Sequence, residues 1–595
     1  MTGTQDYGAY SSPRPTISAQ SSNKLAADCA GKNFFEIDRG LQDLLGLYLP
    51  GAAGEHFRPH FERLGELAGG RLNELAMVAD RNPPVLHARN RWGQDEDWIE
   101  YHPAYREMEQ IAFGDYQFHA MSHRGGVLGW PEPLPPVAKY AFQYLFVQAE
   151  FGQMCPISVT DTSIHLVRRF GSPELQASLL PRMLSGDLAT LWTGTQFMTE
   201  KSGGSDVGAI ETEARRDGDG WRLWGEKWFC SHTDADVALL LARPAGAPAG
   251  TKGLALFAMP RHLEDGSRNR YRIVRLKEKL GTRSMASGEI KLEGAHAFLV
   301  GELDQGLKQM LEQVNLSRLS HAVRAAAMMR RCVNESLVAA RARTAFGRQV
   351  VEFPLQRRQL LKLITPAEQA LSMMFLAADT MGRANACVPE AEDLLRILTP
   401  LAKLRACRDN IRVATGAMEV RGGNGYIEDF VNARLVRDAH VGVLWEGTSN
   451  INAQDVIQRA VGKEGAHHAL ATALRKRLDE VAPVAERHTQ RLARTLDRAL
   501  AFAEEVARDP EAEDEARKAA GALYNVSSAV LLAWEGIRPG VDARRLLHSR
   551  FVLEHRLAAE DPVAPGSGKW QRAATDLALD GGEVPFAAAV ELVES

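Results

Sequence analysis

The sequence predicts a mainly α-helical protein with a central β-domain. The chain has 595 residues, which is too long for a single hydrophobic core. Its first and last parts carry apolar residues at helical spacing. The part between residues 186 and 300 carries short alternating stretches separated by turn signals. A helical, then β, then helical order follows from these observations.

The first region, residues 31–185, is expected to be an N-terminal helical domain. Phe61, Leu64 and Leu67 recur at the spacing of one helix face, and a polar loop is expected over residues 92–97. The preceding residues 1–30 begin with a stretch that is rich in Ser, Thr and Gln and lacks an apolar core. We therefore expect a disordered lead-in there and not a signal peptide.

The second region, residues 186–300, is expected to be the β-domain. Residues 221–229 alternate between apolar and polar side chains, and residues 237–242 resemble a short buried strand. Two Asp-Gly pairs in residues 217–220 mark a turn between strands.

The remaining regions are helical again. Residues 301–462 are expected to form a bundle, with long amphipathic segments at 322–345, 360–385 and 394–420. Residues 463–595 are expected to form an additional helical domain, interrupted by an acidic stretch at 509–515.

Composition excludes several classes of protein. The formal net charge is −4, which gives no general attraction to nucleic acid or to an anionic membrane. No run of 18 apolar residues indicates a membrane span. The six cysteines are scattered without a CxxC pair, so we expect neither disulfides nor a metal site, and reduced thiols fit a cytoplasmic protein.

Residues 444–450, with the sequence LWEGTSN, contain the most suggestive local pattern. The pattern places the carboxylate of Glu446 between the aromatic Trp445 and the flexible Gly447. A base that abstracts a proton beside a bound cofactor needs such surroundings. A glutamate before a glycine is also typical of a solvated helix end, so this segment alone leaves both interpretations open.

Four segments in chain order resemble signatures of the acyl-CoA dehydrogenase family. They are MTEKSGGSD at residues 198–206, GEKWFCS at 225–231, RTAFG at 343–347, and GGNGY at 422–426 followed by WEGT at 445–448. The chain is most similar to the AidB-type branch of that family. Residues 82–84, 275–284 and 328–331 and the long C-terminal extension carry this closer resemblance.

The resemblance implies a fold, a reaction and partners. The fold would be acyl-CoA dehydrogenase-like: an N-terminal helical domain, a β-barrel-like middle domain and a C-terminal four-helix bundle, here with a C-terminal helical extension. FAD would lie between the middle domain and the bundle, in a homotetramer. The reaction would be α,β-dehydrogenation of an acyl-CoA thioester, with an electron-transfer flavoprotein or similar protein as acceptor.

The resemblance also implies roles for individual residues. Glu446 matches the base that removes the α-proton. The residues that match cofactor-binding positions are Met198, Thr199, Ser205, Phe229, Ser231, Arg343, Phe346, Gly422, Gly423, Thr448 and Asn450. The residues that match positions near the substrate are Ser205, Arg318 and Trp445.

Several of these residues have simpler interpretations that the sequence leaves open. Phe229 could fill a strand core, Arg343 could be a surface arginine, and Gly422 and Gly423 could form a helix C-cap. In the family, the residues that match Arg343 and Phe346 reach the cofactor of a neighbouring subunit.

Two positions depart from the common family pattern. Trp445 stands where a tyrosine is usual, and its bulk favours short or branched acyl groups. Glu419 stands where many relatives carry glutamine near the cofactor's pyrophosphate, so we exclude Glu419 from the cofactor site.

The AidB-type resemblance keeps a second function open, namely DNA binding or protection against alkylation damage with weak dehydrogenase activity. From residue 463 onward the chain has 18 basic and 22 acidic residues, whereas DNA-binding domains are usually basic. Arg487, Arg491, Arg494 and Arg498 do share one helix face. Because such stripes are usually solvated faces, dehydrogenation is the favoured function. A third possibility is an assembly protein with a purely structural flavin.

Overall fold

The computed structural model describes residues 25–218, 220–558, 563 and 569–595. The predicted disordered lead-in therefore falls mainly outside the described residues. The N-terminal region contains seven α-helices and one β-hairpin. The helices are α1 (Arg39–Tyr48), α2 (Ala52–Gly69), α3 (Arg71–Arg81), α4 (Pro103–Glu109), α5 (Pro136–Val147), α6 (Met154–Phe170) and α7 (Pro173–Met183).

Apolar periodicity explains how these helices pack. On α2, Phe57, Phe61 and Leu64 are buried along one face, as the i, i+4, i+7 spacing requires. The hairpin pairs β1 (Val85–Arg89) with β2 (Asp95–Glu100) in antiparallel register. The expected polar loop over residues 92–97 is thus only partly correct, because the second strand begins within it.

The middle region is a seven-stranded sheet that closes on itself. Its strands are β3 (Gly194–Phe197), β4 (Glu213–Asp217), β5 (Gly220–Ser231), β6 (Val237–Pro244), β7 (Ala255–Pro260), β8 (Tyr271–Leu276) and β9 (Ser287–Val300). Pairing runs from β6 through β4, β5, β9 and β7 and back to β6, with β3 beside β6 and β8 beside β9. Closure leaves the five strands of the ring, β4, β5, β6, β7 and β9, without a free edge.

The bundle is dominated by three long helices that pack against one another. Its elements are α8 (Gly306–Ala342), β10 (Thr344–Ala345), β11 (Arg348–Gln349), α9 (Pro354–Asn385), α10 (Ala391–Arg421), α11 (Val431–Ala439) and α12 (Ser449–Gln454). Pro354 occupies the first turn of α9, where its missing N–H costs little. Pro400 lies inside α10.

The described residues of the extension contain six further α-helices. They are α13 (His467–Val481), α14 (Glu486–Arg508), α15 (Ala516–Gly536), α16 (Arg544–Val552), α17 (Lys569–Leu579) and α18 (Phe586–Glu594). α15 packs against α9 and α10, and its buried apolar residues belong to the same hydrophobic core as those of the bundle. Across the described residues, no helix is both long and apolar enough to cross a membrane.

This architecture confirms the predicted fold class. Helical N-terminal and C-terminal regions enclose a central β-domain, and a helical extension follows.

Candidate active site

Glu446 lies in the loop between α11 and α12, where the bundle meets the β-domain. Its backbone is left-handed, with φ of +54°, a conformation that is uncommon for a residue with a Cβ. Gly447 follows with φ of +89°, which glycine adopts without strain. The two residues turn the chain sharply just before α12 begins.

The Glu446 carboxylate is held by both neighbouring regions. Gln196 Nε2 on β3 donates a hydrogen bond to Glu446 Oε1 at 3.0 Å. Ser317 Oγ on α8 donates to the same oxygen at 2.9 Å. These bonds fix the carboxylate at the junction of barrel and bundle, and they exclude the solvated helix-end interpretation of Glu446.

The backbone of the loop is tied down separately. Arg318 Nε donates to the carbonyl oxygen of Glu446 at 3.1 Å, and Arg318 Nη1 pairs with Asp455 Oδ2 at 2.6 Å. Asn452 Nδ2 and the Lys403 ammonium both donate to the carbonyl oxygen of Gly447. In the described part of the chain, the Glu446 N–H has no hydrogen-bond acceptor, so it remains able to bind a ligand carbonyl.

Burial is the largest influence on the pKa of the Glu446 carboxyl. Burial raises the pKa of the Glu446 carboxyl above its ordinary value, and the Ser317 hydrogen bond and the charge of Arg318 oppose this shift. Burial also lowers the pKa of Lys403 to about 8. A carboxylate with a raised pKa is a stronger base than a solvated one.

Aromatic side chains lie beside Glu446. Trp445 is half-buried and meets His321 edge to face, with ring centroids 5.4 Å apart. The His321 ring also lies 6.5 Å from the ring of Phe151. Burial holds the pKa of His321 well below its ordinary value, so the ring is neutral near pH 7.

The charged residues Lys227 and Glu200 of the two barrel motifs have a structural role. Lys227 Nζ pairs with Glu200 Oε1 at 2.7 Å in a site where both side chains are buried. Glu200 also accepts hydrogen bonds from the backbone of residues 211 and 212. The Trp228 N–H donates to the Thr199 carbonyl oxygen at 2.8 Å, so the two motifs are joined side by side.

The predicted cofactor residues of the barrel are accessible. Phe229 is 56% exposed although it lies on a strand, which argues against its being ordinary strand core. Met198, Thr199 and Ser231 are half-buried, and Ser205 is exposed.

The other predicted cofactor residues fall into two groups. Thr448, at the end of the loop that carries Glu446, and Asn450, in the first turn of α12, are both exposed. Arg343 and Gly422 are neighbours at the far end of the bundle, since a Cβ on Gly422 would lie 3.3 Å from Arg343 Nη1.

The end of the bundle remote from Glu446 also carries an exposed phenylalanine. Phe346 is 97% exposed on the short β10–β11 hairpin, and Gly423 is exposed close to Gly422. No hydrogen bond or ion pair of the described chain links this end to Glu446.

Sequence reasoning missed several residues of the site. Gln196, Ser317 and Lys403 all contact the loop, yet none belongs to a recognised motif. Gln196 lies on β3 two residues before Met198, and Ser317 directly precedes Arg318 on α8, so proximity to the motifs was the available signal. No group of three potential metal ligands occurs among the described residues.

A helical domain, a closed barrel and a helical bundle, with the half-buried Glu446 carboxylate where barrel and bundle meet, match the architecture of the acyl-CoA dehydrogenase class of protein. Family models support this class along the chain. They match the "Adaptive response protein AidB N-terminal domain" at residues 24–188, the "Acyl-CoA dehydrogenase, middle domain" at 195–295 and the "Acyl-CoA dehydrogenase, C-terminal domain" at 304–461.

Individual relatives agree with the family models. The putative acyl-CoA dehydrogenase AidB of Escherichia coli (strain K12) is 33% identical over 414 residues, which is 67% of this chain and 73% of that protein. Acyl-CoA dehydrogenase family member 11 of Caenorhabditis elegans is 31% identical over 447 residues, covering 72% and 70%. The chain therefore belongs to the acyl-CoA dehydrogenase family, and its AidB-type resemblance is confirmed.

A solved structure extends the likeness to the fold. The crystal structure of Caenorhabditis elegans ACDH-11 in complex with C11-CoA superposes with a TM-score of 0.84 at 26% identity. The match covers 91% of this chain and 94% of that chain.

Proposed function

We propose that the protein catalyses FAD-dependent α,β-dehydrogenation of a short or branched acyl-CoA, with Glu446 as the base that removes the α-proton. The observation that carries this proposal is the Glu446 carboxylate itself. It is half-buried and fixed by β3 and α8, and its partial removal from water raises its pKa. A coenzyme A thioester is the ligand in the ACDH-11 structure, which supports the same substrate class here.

The residues present fit a flavin. Phe229 offers an exposed ring, Thr199 and Ser231 offer hydroxyls, and the Oε1 atom of Gln196 is buried without a donor among the described residues. Gly203 has φ of +124° and open space where a Cβ would be, so a ligand can approach its backbone closely. Bound FAD would supply the acceptor for the β-hydride.

We assign the remaining cofactor contacts by their position. Met198, Thr199, Phe229 and Ser231 would hold the ring system on the barrel side, with Ser205, Thr448 and Asn450 around the entrance. Arg343, Phe346, Gly422 and Gly423 would hold the pyrophosphate and adenine of a neighbouring subunit, because arginine binds paired oxyanions well.

Residues of this protein would carry out the removal of the α-proton. The Glu446 carboxylate accepts the α-proton of the thioester, and the Glu446 N–H is available to donate to the thioester carbonyl, where negative charge develops. Arg318 and Asn452 keep this N–H and carboxylate in one geometry by binding the adjacent carbonyl oxygens. Trp445 and His321 keep water from the base and narrow the pocket for the acyl chain.

A homotetramer and a protein electron acceptor complete the proposal. The exposed Phe346 and the 80% exposed Tyr426 lie in the two motifs near the far end of the bundle, and exposed aromatic side chains are typical of interfaces. An electron-transfer flavoprotein or a similar carrier would then reoxidise the enzyme.

The test is anaerobic titration of purified flavoprotein with acyl-CoAs while flavin absorbance is followed. We expect a short-chain acyl-CoA to bleach the flavin, and Glu446→Gln to slow bleaching by about 10²–10⁴-fold while flavin content stays normal. Glu505→Gln, which changes an exposed carboxylate on α14, is the matched control. Bleaching of Glu446→Gln at the wild-type rate would rule out Glu446 as the base.

A further inference from the structure

A cavity of about 380 Å³ lies where the extension packs against the bundle. Described residues of α9, of α10, of α16 with the helical turn at residues 553–557, and of α17 line it. None of these lining residues takes part in the Glu446 site or in the cofactor motifs. Pockets of this volume typically hold small organic ligands, so the cavity is a candidate for a second binding site.

Basic side chains are concentrated around this cavity. The four lining cations are Arg358, Lys362, Arg412 and Arg556. Asp409 is the one carboxylate among the described lining residues, and it already pairs with Arg556 at 3.2 Å and with Arg405 at 2.7 Å. Four cations and one carboxylate give the lining an excess of positive charge, which favours an anionic ligand.

Three of these cations have no acidic partner in the described part of the chain. Arg358 and Lys362 lie one helical turn apart on α9, and Arg412 lines the same cavity from α10. All three side chains are exposed, and none forms an ion pair with a described residue. Burial and the charges of three neighbouring arginines, among them Arg412, lower the pKa of Arg408. The protein itself therefore leaves this positive charge without a counterion.

The inner surface of the cavity is apolar. Four lining side chains are at most 4% exposed, namely Leu361, Leu363, Val413 and Phe551. The exposed cations thus form a basic rim around a buried apolar floor. An anion with an apolar or aromatic body can use both surfaces, because its charge stays at the rim while its body leaves water.

We infer that this cavity binds a small organic phosphate of nucleotide size, with its phosphate at the basic rim and its organic body on the apolar floor. A phosphate monoester carries nearly two negative charges near pH 7 and has three acceptor oxygens, so it can bind several cations together. The planar fork of arginine binds such oxygens in pairs. A fatty carboxylate has a single charge and would leave most of the rim without a counterion.

Such a ligand would contact both regions that form the cavity. Arg358 and Arg412 belong to the bundle, whereas Phe551 and Arg556 belong to the extension. A ligand that binds only the folded arrangement stabilises it, so an occupied cavity should hold the extension more firmly against the bundle. The inference is independent of dehydrogenation, because the cavity shares no described residue with the Glu446 site.

Hydrogen–deuterium exchange of the protein with FAD bound would locate the ligand. ADP serves as the probe, and inorganic phosphate and dodecanoate are compared with it. We expect ADP to slow exchange in α17 and at residues 551–557. Phosphate should need a concentration at least about tenfold higher, because it lacks a body that contacts the apolar floor, and dodecanoate should have no effect. No slowing by ADP, equal effects of phosphate and ADP, or a stronger effect of dodecanoate would overturn the inference.

Variants of the basic rim separate this cavity from other places where ADP could bind. The double variant Arg358→Gln/Arg412→Gln should require at least about tenfold more ADP for the same slowing, whereas Arg358→Lys/Arg412→Lys should keep part of the response. Arg572→Gln, at an exposed position of α17 outside the lining, is the matched control. An unchanged response in the glutamine double variant would refute the site. Duplex DNA that slowed exchange at these residues more strongly than ADP would assign the rim to nucleic acid and would also overturn the inference.

Discussion

The backbone of Glu446 is strained, and its carboxylate is held in one position by hydrogen bonds. A base that must meet one particular proton benefits from such a fixed position. Its left-handed backbone costs on the order of 1–3 kcal/mol. The cost is tolerated because Arg318 and Asn452 bind the surrounding carbonyl oxygens. The strained turn directs the carboxylate to Gln196 and Ser317, and the N–H of Glu446 has no acceptor among the described residues.

The pH dependence of the reaction should reveal Ser317. The base works when deprotonated, so kcat/KM must fall as pH drops below the raised pKa of Glu446. The Ser317 hydrogen bond lowers that pKa, hence Ser317→Ala should move the acid limb of the pH profile to higher pH by about one unit. Ser317→Thr, which keeps the hydroxyl, should preserve the wild-type profile. An acid limb moved to lower pH in Ser317→Ala would contradict this assignment.

At the scale of elements, the joined motifs of β5 and the segment before β4 stabilise the barrel. Lys227 and Glu200 form a buried ion pair. Burial lowers the pKa of Lys227. Burial alone would raise the pKa of Glu200, but the charge of Lys227 and the hydrogen bonds that Glu200 accepts hold this pKa below its ordinary value. Lys227→Met leaves a buried carboxylate unpaired and should destabilise the protein by about 3–5 kcal/mol.

Thermal unfolding followed by circular dichroism would measure this loss. The double variant Glu200→Gln/Lys227→Met removes both charges and should be more stable than Lys227→Met alone. Lys201→Met is the control, since its ion pair with Glu226 is exposed and such pairs contribute little. A double variant less stable than the single variant would argue against a simple pair.

The elements also show what the sequence could and could not predict. The long helices and the barrel were predictable because their apolar periodicity is strong. The β1–β2 hairpin was missed because β1 is almost wholly exposed and so lacks the alternation that burial creates. On α8, Arg324, Arg330 and Arg331 are buried, although local sequence suggests solvent-facing positions. Their environment depends on residues far away in the chain, which a single sequence does not reveal.

Some residues of the candidate site were likewise predictable from the sequence, and others were not. Glu446 and the barrel motifs were predictable from their resemblance to family signatures. The positions of Gln196 and Ser317 depend on how β3 and α8 approach the loop, and no local pattern records that approach. Two nearby residues on α10 show the same dependence on distant contacts. Arg421 is buried and pairs with Glu335 of α8 at 2.8 Å, whereas Glu419 is exposed and accepts a hydrogen bond from Gln359 of α9.

At the scale of the whole molecule, one buried charge network joins three regions. Arg545 of the extension pairs with Glu368 of α9 at 2.6 Å and with Glu535 of α15 at 2.9 Å. Arg330 of α8 pairs with Glu368 at 2.5 Å and with Asp38 of the N-terminal region at 3.3 Å. The extension is therefore bound to the bundle through ions as well as through the shared apolar core.

Removing Arg545 should loosen the extension. Arg545→Met leaves Glu535 without its cation and should cost about 3–5 kcal/mol, seen as faster proteolysis within the extension. Arg517→Met, at an exposed position on α15, is the control. Because Arg330 and Arg545 lower the pKa of Glu368 from 4.5 to about 2, its stabilisation is complete above pH 4.5 and is lost as pH falls toward 2. Unchanged proteolysis in Arg545→Met would refute this role.

The extension also allows a test of the rival DNA-binding function. Of the four arginines on α14, Arg491 is paired with Glu554, whereas Arg487, Arg494 and Arg498 are exposed. The extension carries more acidic than basic residues, so three exposed arginines should give only weak, non-specific binding, with Kd on the order of 10⁻⁴–10⁻⁶ M at physiological salt. Fluorescence anisotropy with a duplex at two salt concentrations measures this. Tight binding that is lost when these three arginines are changed to alanine would favour the DNA-binding function, whereas we expect the unchanged protein to bind only weakly and to lose this binding at the higher salt concentration.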